Sequence, residues 1–280
     1  MQQLTIYRAI TKLKNIDLFY LDTKTEKPAM LCVHGRYGRA ETWVDFINKY
    51  GDEYRVIAPE LRGHGLSGKP AASYSAEEMV EDIYELLSYL KIESVIMVGH
   101  SLGGRIAAYF AASYPEKVRA LAILDKSPSG MQKLYGEQPI MIDPLTKDWP
   151  MPFSSLNEAM KYIRQHTDSE LSYQYFMNSL AETVDGYKMM FSSYAIALGI
   201  THDEDWYFLL PKITCLTLLI RAKGGEAVPD EDLLKMKSML SDCLSYEMTE
   251  SDHNVHLSNK KEFYGYFDEF LAEIKRSNTF

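Results

Sequence analysis

Apolar and polar residues alternate at the start of the chain, at Leu4 and Ile6 and again at Ile16, Leu18 and Tyr20. That is the period of half-buried antiparallel strands and predicts a leading hairpin or meander. The next apolar runs are continuous: Ala29 to Val33, Tyr54 to Pro59, Ser94 to Met97 and Arg119 to Asp125. Runs of this kind suit strands covered on both faces. Between them the period turns helical. Trp43, Phe46 and Ile47 share one face, and Ser75 with Glu78 makes a capping box ahead of the stripe Met79, Val80, Ile83, Leu86, Leu87 and Leu90. Strand and helix in alternation predict a mostly parallel α/β sheet.

The alternation stops after Lys126. Up to about Asp205 no buried strand is readable, only helix-like stretches rich in methionine and aromatics, among them Trp149, Phe153, Tyr162, Tyr173, Met189 and Tyr194. This is the pattern of a helical insertion over 128–205, dividing a core of 1–127 and 206–280. Flexible thioethers beside rings suit an adaptable apolar cavity, although most of these side chains are needed to hold the insertion together. Sheet-like sequence resumes with Ile213 to Ile220, a helix over Asp230 to Leu240 and a short strand, Ser245 to Met248. A final helix carries Phe263, Phe267, Phe270, Leu271 and Ile274 on one face.

Composition removes several function classes. In 280 residues, 30 Lys and Arg stand against 39 Asp and Glu, a net charge of −9, with no basic run to track phosphates, so nucleic acid is not an expected partner. Cys32, Cys215 and Cys243 have no C-x-x-C spacing and Cys32 and Cys215 lie in apolar runs, as thiols in a reducing compartment do. The N-terminal stretch lacks a secretory h-region, and no run reaches the ~18 apolar residues of a membrane span. The expectation is a cytoplasmic protein with no membrane span and no metal or nucleotide cofactor. The histidines and carboxylates lack metal-ligand spacing, and the glycines of 99–104 are not spaced as G-x-G-x-x-G.

The candidate chemistry lies in Gly99-His100-Ser101-Leu102-Gly103, a G-x-S-x-G entered by a strand and left by an Ala-rich helix. That context marks a nucleophile elbow, a turn too tight for Cβ atoms with the serine at its apex. Ser101 then sits at a helix N-terminus, which favours negative charge. A serine hydroxyl needs a base within hydrogen-bond reach. Other loops are rich in glycine, namely His34-Gly35-Arg36-Tyr37-Gly38 and Arg62-Gly63-His64-Gly65-Leu66-Ser67.

Together, in this order, these motifs resemble the α/β-hydrolase fold superfamily, specifically its cap-bearing esterase and lipase-like members. The resemblance covers nearly the whole chain. It implies an eight-stranded, mostly parallel sheet flanked by helices, with a helical cap inserted after the sixth strand. It implies Ser101 as nucleophile and His253 as base, in a D-H-x-V-H-L stretch where Asp252 replaces the family's usual Gly; His256 is the rival base. The acid expected after the seventh strand is missing, since Gly225 stands there. Leu124-Asp125-Lys126-Ser127-Pro128 resembles the I-D-x-x-P of members that carry it after the sixth strand. Asp125 is thus the candidate acid and Glu226 the alternative. The amides of Leu102 and Arg36 would form the oxyanion hole, and the Arg36 side chain would hold a substrate carboxylate or pair with an acid such as Asp125. His100, Tyr37, Trp149 and Tyr194 are candidates for the substrate pocket. The side chains of His34, His64 and His100 are otherwise expected to be held by backbone groups. The implied activity is hydrolysis of carboxylic esters or related small acyl compounds through an acyl-enzyme. Carbon–carbon bond hydrolases, lactonases and thioesterases use the same triad, and a low-turnover receptor would keep the same pocket. Haloalkane dehalogenases and epoxide hydrolases are disfavoured, because they need Asp at the elbow.

Overall fold

The computed structural model describes residues 4–130 and 140–277. Strands β1 (Tyr7–Lys12) and β2 (Asp17–Asp22) form the leading antiparallel hairpin, with Tyr7 opposite Asp22. β3 (Ala29–Val33), β4 (Arg55–Pro59), β5 (Val95–His100) and β6 (Val118–Leu124) follow, and β9 (Leu216–Arg221) and β10 (Cys243–Glu247) complete the sheet. Among the described residues this sheet has eight strands in the order β1-β2-β4-β3-β5-β6-β9-β10. The β1–β2 and β2–β4 pairs are antiparallel and the others parallel.

The apolar runs are continuous because both faces are covered. Leu31 and Val33, Met97, Leu121 and Ile123 meet the side carrying α2 (Ala76–Tyr89) and α3 (Leu102–Ser113). Their neighbours Met30, Cys32, Ile96, Val98, Ala120 and Ala122 meet α1 (Val44–Tyr50) and the C-terminal α9 (Lys260–Arg276), through Phe46, Phe263 and Phe267. Helix α2 begins where the capping pattern predicts. Ser75 Oγ accepts from the Glu78 amide at 3.4 Å, while the Glu78 carboxylate reaches the Tyr74 amide at 2.7 Å rather than that of Ser75.

The segment between β6 and β9 carries α4 (Leu156–Gln165), α5 (Glu170–Met177) and α6 (Ser193–Thr201). Ser155, Ser169 and Ser192 cap these helices by accepting the amide three residues on. Beside these helices the insertion carries two short strands not read from the sequence, β7 (Leu180–Thr183) and β8 (Gly186–Met189), which pair as an antiparallel hairpin. Its turn depends on Gly186, whose φ of +124° is closed to other residues. The insertion buries its own cluster, including Trp149, Phe153, Ile163, Tyr173, Phe176 and Phe191. After it come α7 (Asp230–Met239) and the short α8 (Val255–Ser258). No helix among the described residues is long and apolar enough to cross a membrane.

Candidate active site

β5 runs into α3 through Ser101, which takes φ +50° and ψ −118°. A non-glycine residue there is strained and persists only where its surroundings hold it. The Ser101 amide donates to the Leu124 carbonyl at 2.9 Å, tying the bend to β6. The flanking glycines are dictated by contact. A Cβ on Gly99 would lie 2.1 Å from the Gly103 oxygen, and one on Gly103 would lie 2.1 Å from the Val33 oxygen. Strand and helix meet at a separation that admits no side chain, and the serine is left at the tip.

His253 arrives from the loop before α8. Its Nε2 lies 2.8 Å from Ser101 Oγ and its Nδ1 lies 2.7 Å from Asp125 Oδ2. With Nδ1–H donating to the carboxylate, Nε2 is left as acceptor for the serine hydroxyl. Asp125 is fully buried at the end of β6, with φ +49°, and its Oδ1 accepts from the Ala222 amide at 2.8 Å. The histidine loop is held twice over: His100 Nε2–H donates to the His253 carbonyl at 2.8 Å, and Asp252 Oδ1 accepts from the Asn254 amide at 2.8 Å. The second contact is an Asx turn, which is how the loop uses an aspartate at 252.

Leu102 begins α3, so its amide is among the N–H groups that have no partner inside the helix. The His34-Gly35 loop lies against Ser101, where a Cβ on Gly35 would come within 3.2 Å of the Ser101 Cβ. His34 fixes this loop: its Nε2 accepts from the Leu61 amide at 3.0 Å and its Nδ1–H donates to the Gly35 carbonyl at 2.8 Å. In front of Ser101 opens a cavity of about 590 Å³, lined by His253, Arg36, Tyr37 and Lys126, by Tyr175 and Phe176 of α5 and by Glu226 and Asp232.

The alpha/beta hydrolase fold family matches residues 28–259 of this sequence. The chain belongs to the alpha/beta hydrolase fold family. Among relatives, an uncharacterized protein of Mycobacterium tuberculosis is 42% identical over 106 residues, 38% of this chain and 30% of that protein. The 2-(acetamidomethylene)succinate hydrolase of Mesorhizobium japonicum is 37% identical over 105 residues, 38% of each. The matches thus span about a third of the length of these relatives. Over the whole fold, the crystal structure of an E-2-(acetamidomethylene)succinate hydrolase superposes with a TM-score of 0.82 at 22% identity, covering 96% of this chain and all of that one.

Within this alpha/beta hydrolase, the residues singled out from sequence fall into two groups. Ser101, His253 and Asp125 form one hydrogen-bonded line, and His100 and Tyr37 line the cavity beside them. Glu226 is exposed on the cavity wall, while the carboxylate bonded to the ring is that of Asp125. The Arg36 guanidinium pairs with Asp203 at 3.5 Å, not with Asp125. Trp149 does not line the cavity, because it turns into the insertion's own core against Tyr162 and Phe176. Tyr194 does not line it either: it stands 43% exposed on α6, edge-on to Tyr74. His256 is buried and stacked on Trp43 at 4.4 Å, and neither ring nitrogen has a hydrogen-bond partner. Burial pushes its imidazole down to about 3 and that of His34 to about 4, and drives His64 and His100 well below the usual histidine range. These rings are neutral at pH 7. Lys126, Ser127, Ser129 and Asp232 were not singled out from the sequence as cavity residues; Lys126 directly follows the candidate acid, and that adjacency was the available signal.

Proposed function

We propose that this protein is a serine hydrolase that cleaves carboxylic esters or related small acyl compounds through an acyl-enzyme. The observation that carries the reading is the line from Ser101 Oγ through the His253 ring to Asp125, with contacts of 2.8 and 2.7 Å. In the reaction, Ser101 Oγ attacks the acyl carbon while its proton passes to His253 Nε2. Asp125, held by the Ala222 amide, keeps the ring in the required tautomer and stabilises the imidazolium. The amides of Leu102 and Arg36 take the charge that develops on the carbonyl oxygen. His253 then returns the proton to the departing alcohol, and a water activated by the same ring releases the acid.

Hydrolysis at a carboxylic-acid derivative also agrees with the name of the Mesorhizobium relative. The receptor alternative drew its support from Gly225 standing where an acid is expected, and that support lapses with Asp125 bonded to the histidine. Epoxide and haloalkane chemistry lacks its aspartate at position 101. The cysteines are free thiols, which suits a cytoplasmic site of action. Nitrophenolate release from p-nitrophenyl acetate tests the reading. Turnover is expected for the native chain and expected to vanish in Ser101→Ala and His253→Ala; turnover that survives both substitutions would exclude the assignment.

A further inference from the structure

Three stretches of chain line the cavity in front of Ser101 and then run on to line a second cavity, of about 180 Å³. The first passes from Arg36 and Tyr37 to Glu41 and Thr42, the second is α5, and the third passes from His253 and Asn254 to Leu257 and Lys260. On α5 the two linings are neighbouring stripes of the helix. Ser172 and Phe176 face the main cavity, while Leu171, Gln174 and Asn178 face the second. Tyr175 lies between these stripes, and among the described residues it alone lines both cavities. Its side chain is buried and its tip is seated on the first stretch: a Cβ on Gly38 would stand 2.7 Å from Tyr175 Cζ and closer still to Oη. Glycine at 38 is thus what admits the phenol. Tyr175 Oη makes no hydrogen bond of full geometry, although the Gly35 backbone is near it, so packing holds the ring where it stands between the two cavities. The second cavity has Glu41, Asp45, Gln174 and Lys260 in its wall and suits water better than an alkyl group.

We infer that Tyr175 is the end wall of the acyl pocket: its ring sets the longest acyl chain that can lie with its carbonyl at Ser101, and closes the way into the second cavity. The chain concerned is the acyl one, because Tyr175 is seated on the loop whose Arg36 amide takes the carbonyl oxygen in the hydrolase reading. The inference rests on that reading for the reaction, but the wall can be measured by binding without it. The probes are 4-nitrophenyl butyrate and 4-nitrophenyl octanoate. In the native protein kcat/KM is expected to fall from butyrate to octanoate. Tyr175→Ala is expected to raise the octanoate-to-butyrate ratio at least about ten-fold, the order of a single methylene accommodated or refused by an apolar pocket. Tyr175→Phe keeps the ring and is expected to keep the native ratio. Tyr175→Leu leaves an apolar side chain in the slot, is expected to shift the ratio part of the way, and carries the test if the alanine variant does not fold. Calorimetry of ethyl butyrate and ethyl octanoate with Ser101→Ala, with and without Tyr175→Ala, reads the same wall without turnover and is expected to show the same order.

An unchanged ratio in a folded, active Tyr175→Ala or Tyr175→Leu variant, or a native protein that uses both esters alike, would overturn the wall and leave the hydrolase reading standing. No turnover by the native protein, with octanoate binding to Ser101→Ala strengthened by adding Tyr175→Ala, would keep the wall and remove the hydrolase reading. A ratio shifted as far by Tyr175→Phe as by Tyr175→Ala would assign the effect to the hydroxyl and refute the ring as the barrier.

Discussion

Replacing His256 with phenylalanine isolates the effect of a buried, unpartnered imidazole on stability. The ring is stacked on Trp43 at 4.4 Å and faces Phe263 at 6.4 Å, and both of its nitrogens lack a hydrogen-bond partner. Burial lowers its affinity for a proton to a pKa of about 3, against 6.5 for an accessible histidine. As pH falls below 6.5 the unfolded chain takes up this proton and the folded chain does not. Stability is thus full above pH 6.5 and is lost as pH drops toward 3. Each pH unit inside that window removes about 1.4 kcal/mol, so the loss from this residue between pH 7.5 and pH 5 is about 2 kcal/mol. Phenylalanine keeps the stack, has no proton to bind and leaves no polar nitrogen unsatisfied. Urea unfolding at pH 7.5 and pH 5 is the assay, with the difference of differences as readout. The variant is expected to lose about 2 kcal/mol less than the native chain over this interval, whatever its stability at pH 7.5. The contributions of His34, His64 and His100 are common to both proteins and largely cancel. An equal loss in both would mean that the ring is hydrated or bonded in the folded state, and the electrostatic reading would be wrong. If the larger ring prevents folding, His256→Leu gives the same readout.

Two further substitutions probe the site. Asp125→Asn is expected to lower kcat by roughly 10³- to 10⁴-fold, as loss of a triad acid does, while Glu226→Gln stays within a few-fold of the native rate; the reverse ranking in a p-nitrophenyl ester assay would transfer the acid role to Glu226. Gly103→Ala places a Cβ 2.1 Å from the Val33 oxygen and 2.6 Å from its carbonyl carbon, backbone that no rotamer can clear. It is expected to cost at least about 1–3 kcal/mol in thermal unfolding and to suppress turnover even where the variant folds, and a fully active, native-stability variant would contradict the close approach of β3 and α3.

The parts of this molecule that could be read from sequence are those where sterics leave one solution. Gly99 and Gly103 are spaced as they are because any other residue would overlap backbone. The continuous apolar runs mark strands with two covered faces, and β3, β5 and β6 alternate between the two cores residue by residue. The I-D-x-x-P resemblance pointed to Asp125, whose carboxylate is the one within 2.7 Å of the histidine. The insertion between β6 and β9 was less legible. Its strands are four residues each, too short for alternation to separate them from helix, and the Asp185-Gly186 pair at their turn was the signal available. Aromatic content did not say which way a ring faces, and so Trp149 and Tyr194 were assigned to the cavity, while Tyr175 and Phe176, one helix away, line it. Arg36, Arg105 and Lys126 reach Asp203 from places far apart in the chain, and no local pattern reveals their cluster.

The most direct measurement is covalent trapping. The folded protein is treated with a fluorophosphonate and digested, and the modified peptide is sequenced by mass spectrometry. A single adduct on Ser101, absent in Ser101→Ala and strongly slowed in His253→Ala, is the expected result. A folded protein that stays unmodified, or that carries the adduct on another residue, would contradict an activated serine at the tip of the β5–α3 bend.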